Sequence, residues 1–420
     1  RGFWFPYDVA EMSKKLFVLY LPGLDLRRIV PEHAPYLAEL RASCPSVTIR
    51  TYPSPELLST VVTGLNPHEH GIWQATLKPR RARTLAERLI DALPDALTTT
   101  AQCARHQLFH DCDVPTIPPR RRRRFAVHRV KFHGRADTHK LLTRLGSVPS
   151  IVTALGTGRC RYRFTDRFHD RDALVREAAS GRWDLEIVQF HAMDLLGHWL
   201  LDTPEKLHAY YRATDDFVRQ VHAVCRANGV RLAILSDHGQ ERVAGAIDLR
   251  RELKHLRLPE DEYAYYLQPI TARFWFETDR AREAVTDLLR RLPHGTCHTS
   301  QDLAEFGLHF PDGRFGELYF LAAPGYQFFP HDFHHGLTNL LFGLKNWQQR
   351  SRIRSGGRHL SYHGYLPTYE SEQGWMVLAE AGYRVDAPRI DLIDLVPSWL
   401  ALLGEPVPAA LRGRPRFHAT

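Results

Sequence analysis

Three stretches of this chain put aspartate or histidine just beyond an apolar run. Asp25 follows Leu16 to Leu21 (LFVLYL) across a Pro22-Gly23 step. Asp194 and His198 follow Leu185 to Phe190 (LEIVQF), within the stretch that opens at His191. Asp237 and His238 follow Arg231 to Ser236 (RLAILS) and precede Gly239. Carboxylates and imidazoles are the ligands that zinc or manganese takes. On a helix, the four-residue step from Asp194 to His198 puts both side chains on one face, the spacing by which two ligands share a metal. An aspartate after a strand is commonly a helix cap, a D-x-x-x-H pair a solvated face and Asp-His-Gly a turn. Three strand ends offering the same donors point instead to a cation site.

The elements that must position these residues are buried strands and the helices between them. LFVLYL, LEIVQF and RLAILS are continuous apolar runs, the mark of strands covered on both faces. Helical patterns lie between them, for example Pro204 to Asn228, which ends near Gly229. The alternation predicts an α/β protein with a mainly parallel sheet, in which ligands bind beyond the carboxyl ends of the strands. Residues 75–150, rich in arginine and proline, read as an insertion. Residues 255–350 read as a second one, a small α+β unit that could cap a cleft; it contains Thr271 to Glu277 (TARFWFE) and Glu317 to Ala322 (ELYFLA). Residues 386–403 return to an apolar helical pattern that packs on the core.

The bulk numbers leave these readings room. The chain has 420 residues, 44% hydrophobic and 25% charged, ordinary values for a globular protein with a large core. Its six cysteines form no C-x-x-C pair, which excludes a cysteine zinc site and a disulfide scaffold. No apolar stretch approaches the length of a membrane span, and no secretory signal is visible. A cytoplasmic enzyme is the expectation. Met12-Ser13-Lys14-Lys15 reads as a natural start, so residues 1–11 stay outside the fold argument. The net charge of +9 fits nucleic acid, an anionic small substrate or a merely cationic surface. Arg120 to Arg124 follows two prolines and reads as a solvated loop, because no aromatic residues alternate with the arginines to stack bases.

The ordered set of motifs resembles the alkaline phosphatase superfamily and, within it, the type I phosphodiesterase/nucleotide pyrophosphatase family. Gly23-Leu24-Asp25 is similar to the family's first metal aspartate. Ser54 to Ile72 is similar to its nucleophile helix and T-G-x-x-P-x-x-H-G-I segment, here Thr63-Gly64 through His70-Gly71-Ile72. Asp194-x-x-Gly197-His198, Ser236-Asp237-His238-Gly239 and His363-Gly364-Tyr365 are similar to three further metal motifs. The end, from Asp391 to Gly413, resembles the closing helix. The resemblance covers nearly the whole chain apart from the two insertions, and it implies a three-layer sandwich of alkaline phosphatase type.

The same resemblance implies roles. Asp194, His198 and His363 would hold one cation; Asp25, Asp237 and His238 would hold the other, with Ser54 beside it. Zinc is the first expectation and manganese the second. Counting back nine residues from Thr63 places the nucleophile at Ser54, with Thr51 as the fallback. Metal coordination would activate the serine, and a phosphoseryl enzyme would be hydrolysed in turn. Two positions depart from the family pattern. Pro55 follows the serine at once, where the family has its proline one residue later. Leu57 stands where nucleotide-cleaving members carry an asparagine for a phosphate oxygen. His70 is read as support for the loop after the nucleophile helix, and neither it nor His68 as a ligand. His331, His334 and His335 are read as surface or cap residues, and His191 as a candidate phosphate contact.

The expected activity is a phosphodiesterase or pyrophosphatase acting on a small anionic phosphate ester. A phosphomonoesterase or phosphonate hydrolase on the same core is the near alternative. A sulfatase is disfavoured because Glu56 and Leu58 stand where its proline and arginine would be. The alternative of another class is a nucleic-acid-binding protein using Arg120 to Arg124.

Overall fold

A computed structural model describes residues 14–54, 56–73, 135–177, 181–199, 201–259, 261–332 and 356–420, together with 76–77, 85, 89, 93–94, 97, 126–127, 340 and 344. The main-sheet strands are β1 (Leu16–Tyr20), β2 (Ser46–Arg50), β3 (Arg135–Asp137), β4 (Cys160–Thr165), β5 (Leu185–Phe190) and β6 (Arg231–Ser236). The chain then leaves the sheet for β7 (Tyr263–Leu267), β8 (Thr271–Phe276), β9 (Gly295–Thr299) and β10 (Leu318–Ala322). It returns with β11 (Gly374–Leu378) and β12 (Arg389–Asp391). The eight-stranded order is β12–β2–β11–β6–β1–β5–β4–β3. Strand β1 is parallel to β5 and β6, β4 to β5, and β12 to β2. Strand β11 is antiparallel to β2 and β6, and β3 to β4.

The alternation along β1 explains why its sequence is apolar throughout. Leu16, Val18 and Tyr20 join one core and Phe17 and Leu19 the other, so both faces are covered. The first core takes α2 (Leu58–Thr63), α3 (Thr138–Leu145) and α6 (Leu395–Leu403); the second takes α1 (Pro35–Ser43), α4 (Ala192–Trp199) and α5 (Pro204–Ala227). Each fully buried leucine, valine or phenylalanine contributes about 1.5–3 kcal/mol. Thr203 caps α5 by accepting the Lys206 amide proton, and Pro204 opens it, so its long register starts at a defined residue.

Residues 135–150, read from sequence as part of an insertion, belong to the main body instead. Strand β3 closes one edge of the large sheet, and Leu141 and Leu145 are buried in the first core. The polar ends of this stretch mask its short apolar helix face. Within 255–350, the described residues form a separate antiparallel sheet of order β7–β8–β10–β9. It has its own core, in which Phe274, Phe320 and Phe328 meet Val285 and Leu289 of the helix Asp279–Arg291. Tyr362 and Tyr365 are buried in that same core, so the second unit grips the segment that carries His363. Among the described residues, no helix is long and apolar enough to cross a membrane. Residues 1–13, Arg120 to Arg124, His334 and His335 lie outside the described residues.

Candidate metal centre

The turns after β1, β5 and β6 meet at one edge of the sheet. Asp194 and His198 occupy one face of α4, with His198 Nε2 3.2 Å from Asp194 Oδ1. His363 Nε2 lies 3.1 Å from the same oxygen, and His191 Nε2 3.0 Å from Asp194 Oδ2. His238 stacks on His363 with ring centroids 3.6 Å apart and planes 5° apart. Asp194, His238 and His363 each offer a buried ligand atom, all within 4.8 Å of one another. Burial alone would raise the Asp194 carboxyl, but His363, His198 and His191 outweigh it and hold it well below the usual range. Burial, reinforced by His238, holds the His363 imidazole well below its ordinary value and therefore neutral.

Backbone carbonyls set the tautomers. His198 Nδ1 donates to Ser361 O at 2.7 Å, and His238 Nδ1 donates to Gly239 O at 2.8 Å. With Nδ1 protonated, the Nε2 lone pair is free to bind a cation. At His363, neither ring nitrogen finds a hydrogen bond among the described residues, although Nε2 lies 3.1 Å from Asp194 Oδ1. Asp237 Oδ1 is likewise buried without a hydrogen bond. Buried polar groups are costly when left unpaired. Asp237 Oδ1 and one nitrogen of the neutral His363 ring are lone-pair donors of the hard or borderline kind that a divalent cation would accept.

Two glycines let the segments approach. Gly23 has φ +78°, and a Cβ there would lie 3.0 Å from Asp194 Cα. A Cβ at Gly197 would fall 1.7 Å from Gln240 Oε1. That space is needed, because Gln240 Nε2 donates to Asp194 O and Oδ1, both at 2.9 Å.

The remaining sequence-derived residues sit differently. Asp25 is buried against the turn after β6, where a Cβ on Gly239 would lie 2.7 Å from its Cγ. Its carboxylate, however, is held by Arg27 at 2.7 Å through Nη2 and 3.0 Å through Nε. Asp237 Oδ2 accepts from Tyr20 at 2.5 Å. Burial and this carboxylate push the tyrosine well above its ordinary value, so it stays protonated. Ser54 is buried, and its Oγ donates toward Glu56 O at 2.9 Å and Trp73 O at 3.2 Å. Thr51 Oγ1 donates to Glu372 O at 2.8 Å. Leu57 packs in the first core and presents no polar group.

His70 bonds Thr60 Oγ1 through Nε2 and accepts the Ile72 amide proton at Nδ1, bracing the loop after α2. His68 lies 3.0 Å from Gly307 O. His331 corrects the surface reading: it is 2% exposed, with its ring 5.7 Å from that of His359. The sequence reading passed over Arg27, Tyr20, Gln240 and Glu372. Gln240 had a signal in its place directly after Asp-His-Gly. Tyr20 reads as one more apolar residue of its strand, and Glu372 as an acidic residue in a loop. Burial pushes the Glu372 carboxyl up to about 7, against the pull of His238.

The sequence profile of type I phosphodiesterase / nucleotide pyrophosphatase matches residues 18–335, three quarters of the chain. The chain belongs to that family. The match places it in the alkaline phosphatase superfamily, among hydrolases of phosphoric esters of the phosphodiesterase/nucleotide pyrophosphatase type, in which metal dependence is typical. Solved structures with the same fold include murine ectonucleotide pyrophosphatase/phosphodiesterase 5, as an inactive variant in complex with AMP. That likeness has a TM-score of 0.58 at 15% identity, over 94% of this chain and 96% of that one. The human protein of the same name gives a TM-score of 0.58 at 16% identity, again over 94% and 96%. No curated protein sequence matches the chain.

Proposed function

We propose that this member of the family hydrolyses phosphodiester or pyrophosphate bonds of a small anionic substrate, with two divalent cations and Ser54 as nucleophile. Asp194, His198 and His363 would hold one cation, and Asp25, Asp237 and His238 the other. The observation that carries this reading is the donor set around Asp194. His191 and His198 of its own stretch and His363 from a distant one gather on this carboxylate, and no ring nitrogen of His363 has a hydrogen bond among the described residues. Two cations held by these residues would stabilise charge on both the attacking and the leaving oxygen. Zinc suits a set with three imidazoles, and manganese is second.

Within the chain, the backbone-fixed tautomers of His198 and His238 keep their Nε2 atoms available. Tyr20 holds Asp237 in place. Ser54 must turn its hydroxyl from the Glu56 and Trp73 carbonyls toward the reacting phosphorus; attack would form the phosphoseryl bond as the bond from phosphorus to the leaving oxygen breaks, and water would then cleave the phosphoseryl ester. The AMP bound to the murine neighbour favours a nucleotide-like substrate. Leu57 offers no amide to a phosphate oxygen, so other groups would have to bind that oxygen.

The test is metal analysis of the purified protein, followed by turnover of aryl monoester, aryl diester and nucleotide substrates by the wild type and Ser54→Ala. Two equivalents of transition metal and diester or nucleotide turnover that Ser54→Ala loses are the expected results. Full activity without bound metal would overturn the reading.

A further inference from the structure

Strand β11 runs against both of its neighbours, pairing Gly374 with Ile49 of β2 and Trp375 with Ser236 of β6. Its start therefore lies where β2 and β6 end. The chain entering it, the short turn Glu370–Glu372, is delivered between the Thr51 segment and the Asp237-His238 turn. There it ties three segments together. Ser371 O accepts the Gly239 amide proton at 2.8 Å, and Glu372 O accepts the Thr51 hydroxyl at 2.8 Å. Glu372 Oε2 accepts the Gly364 amide proton at 2.6 Å.

Gly364 links this turn to both the ligands and the nucleophile. It follows His363 directly, it has φ +89°, and a Cβ on it would lie 2.8 Å from Ser54 O. One hydrogen bond therefore sets the His363 turn against the Ser54 main chain. The acceptor is a buried carboxylate whose partners are this amide and the Ser371 hydroxyl; among the described residues it forms no ion pair with lysine or arginine. A neutral side chain would accept the amide proton at a lower desolvation cost.

We propose that Glu372 is a positioning residue for the metal centre: its carboxylate holds the Gly364 amide and so sets His363 against Asp194 and His238. Its main chain meanwhile keeps the Thr51 and Gly239 segments in register. This rests on the metal-dependent reading above and adds a residue that supports the ligands without being one.

The test is titration of the metal-free protein with Co2+, followed by visible absorption, for the wild type, E372A and E372Q. Circular dichroism and thermal melting of each metal-free protein report folding. Removal of a group that orients a ligand weakens metal affinity about 10- to 100-fold. E372A should show that loss with a changed ligand-field spectrum. E372Q, which keeps an oxygen for the Gly364 amide, should bind within about threefold of the wild type with its spectrum. A wild type that takes up no Co2+ removes the metal-dependent reading and this one with it. Wild-type uptake with an unaltered E372A removes this one alone. An E372Q as impaired as E372A also overturns it, by assigning the effect to charge instead of the hydrogen bond. If E372A fails to fold, the E372Q spectrum and affinity decide by the same rule.

Discussion

The two halves of the proposed metal centre are held ready to different degrees. Around Asp194, the imidazoles of His198, His363 and His191 already face the carboxylate, and backbone carbonyls fix the ring that could otherwise turn. Around Asp237, the carboxylates already have partners, except at Asp237 Oδ1. Asp25 is gripped by Arg27, and Asp237 by Tyr20. The first half has its proposed ligands gathered, and Gln240 Nε2, which donates to Asp194 Oδ1, is the contact a cation would displace. The second must also release Asp25 from a half-exposed guanidinium. Electrostatic preorganisation is thus uneven, and the Asp194 half should fill first and more tightly.

The largest expected effect comes from breaking the ready half. Asp194→Ala removes the carboxylate on which three imidazoles gather, and with it the anionic donor that a cation would share with them. Activity should fall at least about a thousandfold, about 4 kcal/mol of transition-state stabilisation, with loss of the tighter metal equivalent. Metal content by mass spectrometry and kcat/KM measure both. A variant that keeps the tighter cation would show that the halves are not as different as their contacts suggest.

Ser54→Ala should also lose about a thousandfold or more in turnover, yet keep its metal content and the fold, because its hydroxyl bonds the Glu56 and Trp73 carbonyls and the Glu56 amide and none of the proposed ligands. Thr51→Ala is the comparison. If Thr51→Ala is inactive while Ser54→Ala turns over normally, the nucleophile is Thr51.

Arg27→Ala sharpens the contrast from the other side. Freeing Asp25 should tighten the weaker cation by roughly tenfold and leave the tighter one unchanged, the modest size reflecting a partly exposed pair. Calorimetric titration of the metal-free variant resolves the two steps. Equal shifts in both would mean that Arg27 acts through overall charge.

A separate effect, on folding stability and not on the cations, lies outside both halves, at His70. Burial, with Arg144 and His68, lowers this imidazole to about 3. The Ile72 amide proton already occupies Nδ1, so a second ring proton has no acceptor. The unfolded chain binds that proton below about 6.5 and the folded chain does not until about 3, so the contribution is present above the unfolded value and is lost as pH falls. Between pH 6.5 and 4.5 this amounts to about 2–3 kcal/mol. Urea unfolding of metal-free protein at both pH values should show the loss in the wild type and a flatter response in His70→Asn. Parallel responses would place the acid sensitivity elsewhere.

Composition and pattern go far here. LFVLYL, LEIVQF and RLAILS are strands because only a strand covered on both faces tolerates such runs, and their carboxyl ends receive Asp25, Asp194 and Asp237. The four-residue step from Asp194 to His198 put both side chains on one helical face, where they touch. What sequence could not determine was decided by contacts between distant segments. Tyr20 meets Asp237 from 217 residues away, and Gln240 reaches Asp194 from 46. Residues 135–145 join the main sheet because β3 finds β4 as a neighbour and their two leucines find a core. The occupied state of Asp25, the direction of the Ser54 hydroxyl and the reach of Glu372 depend on rotamers and on the antiparallel entry of β11. Periodicity reports which face of an element is buried; it carries no information on which partner the fold brings to that face.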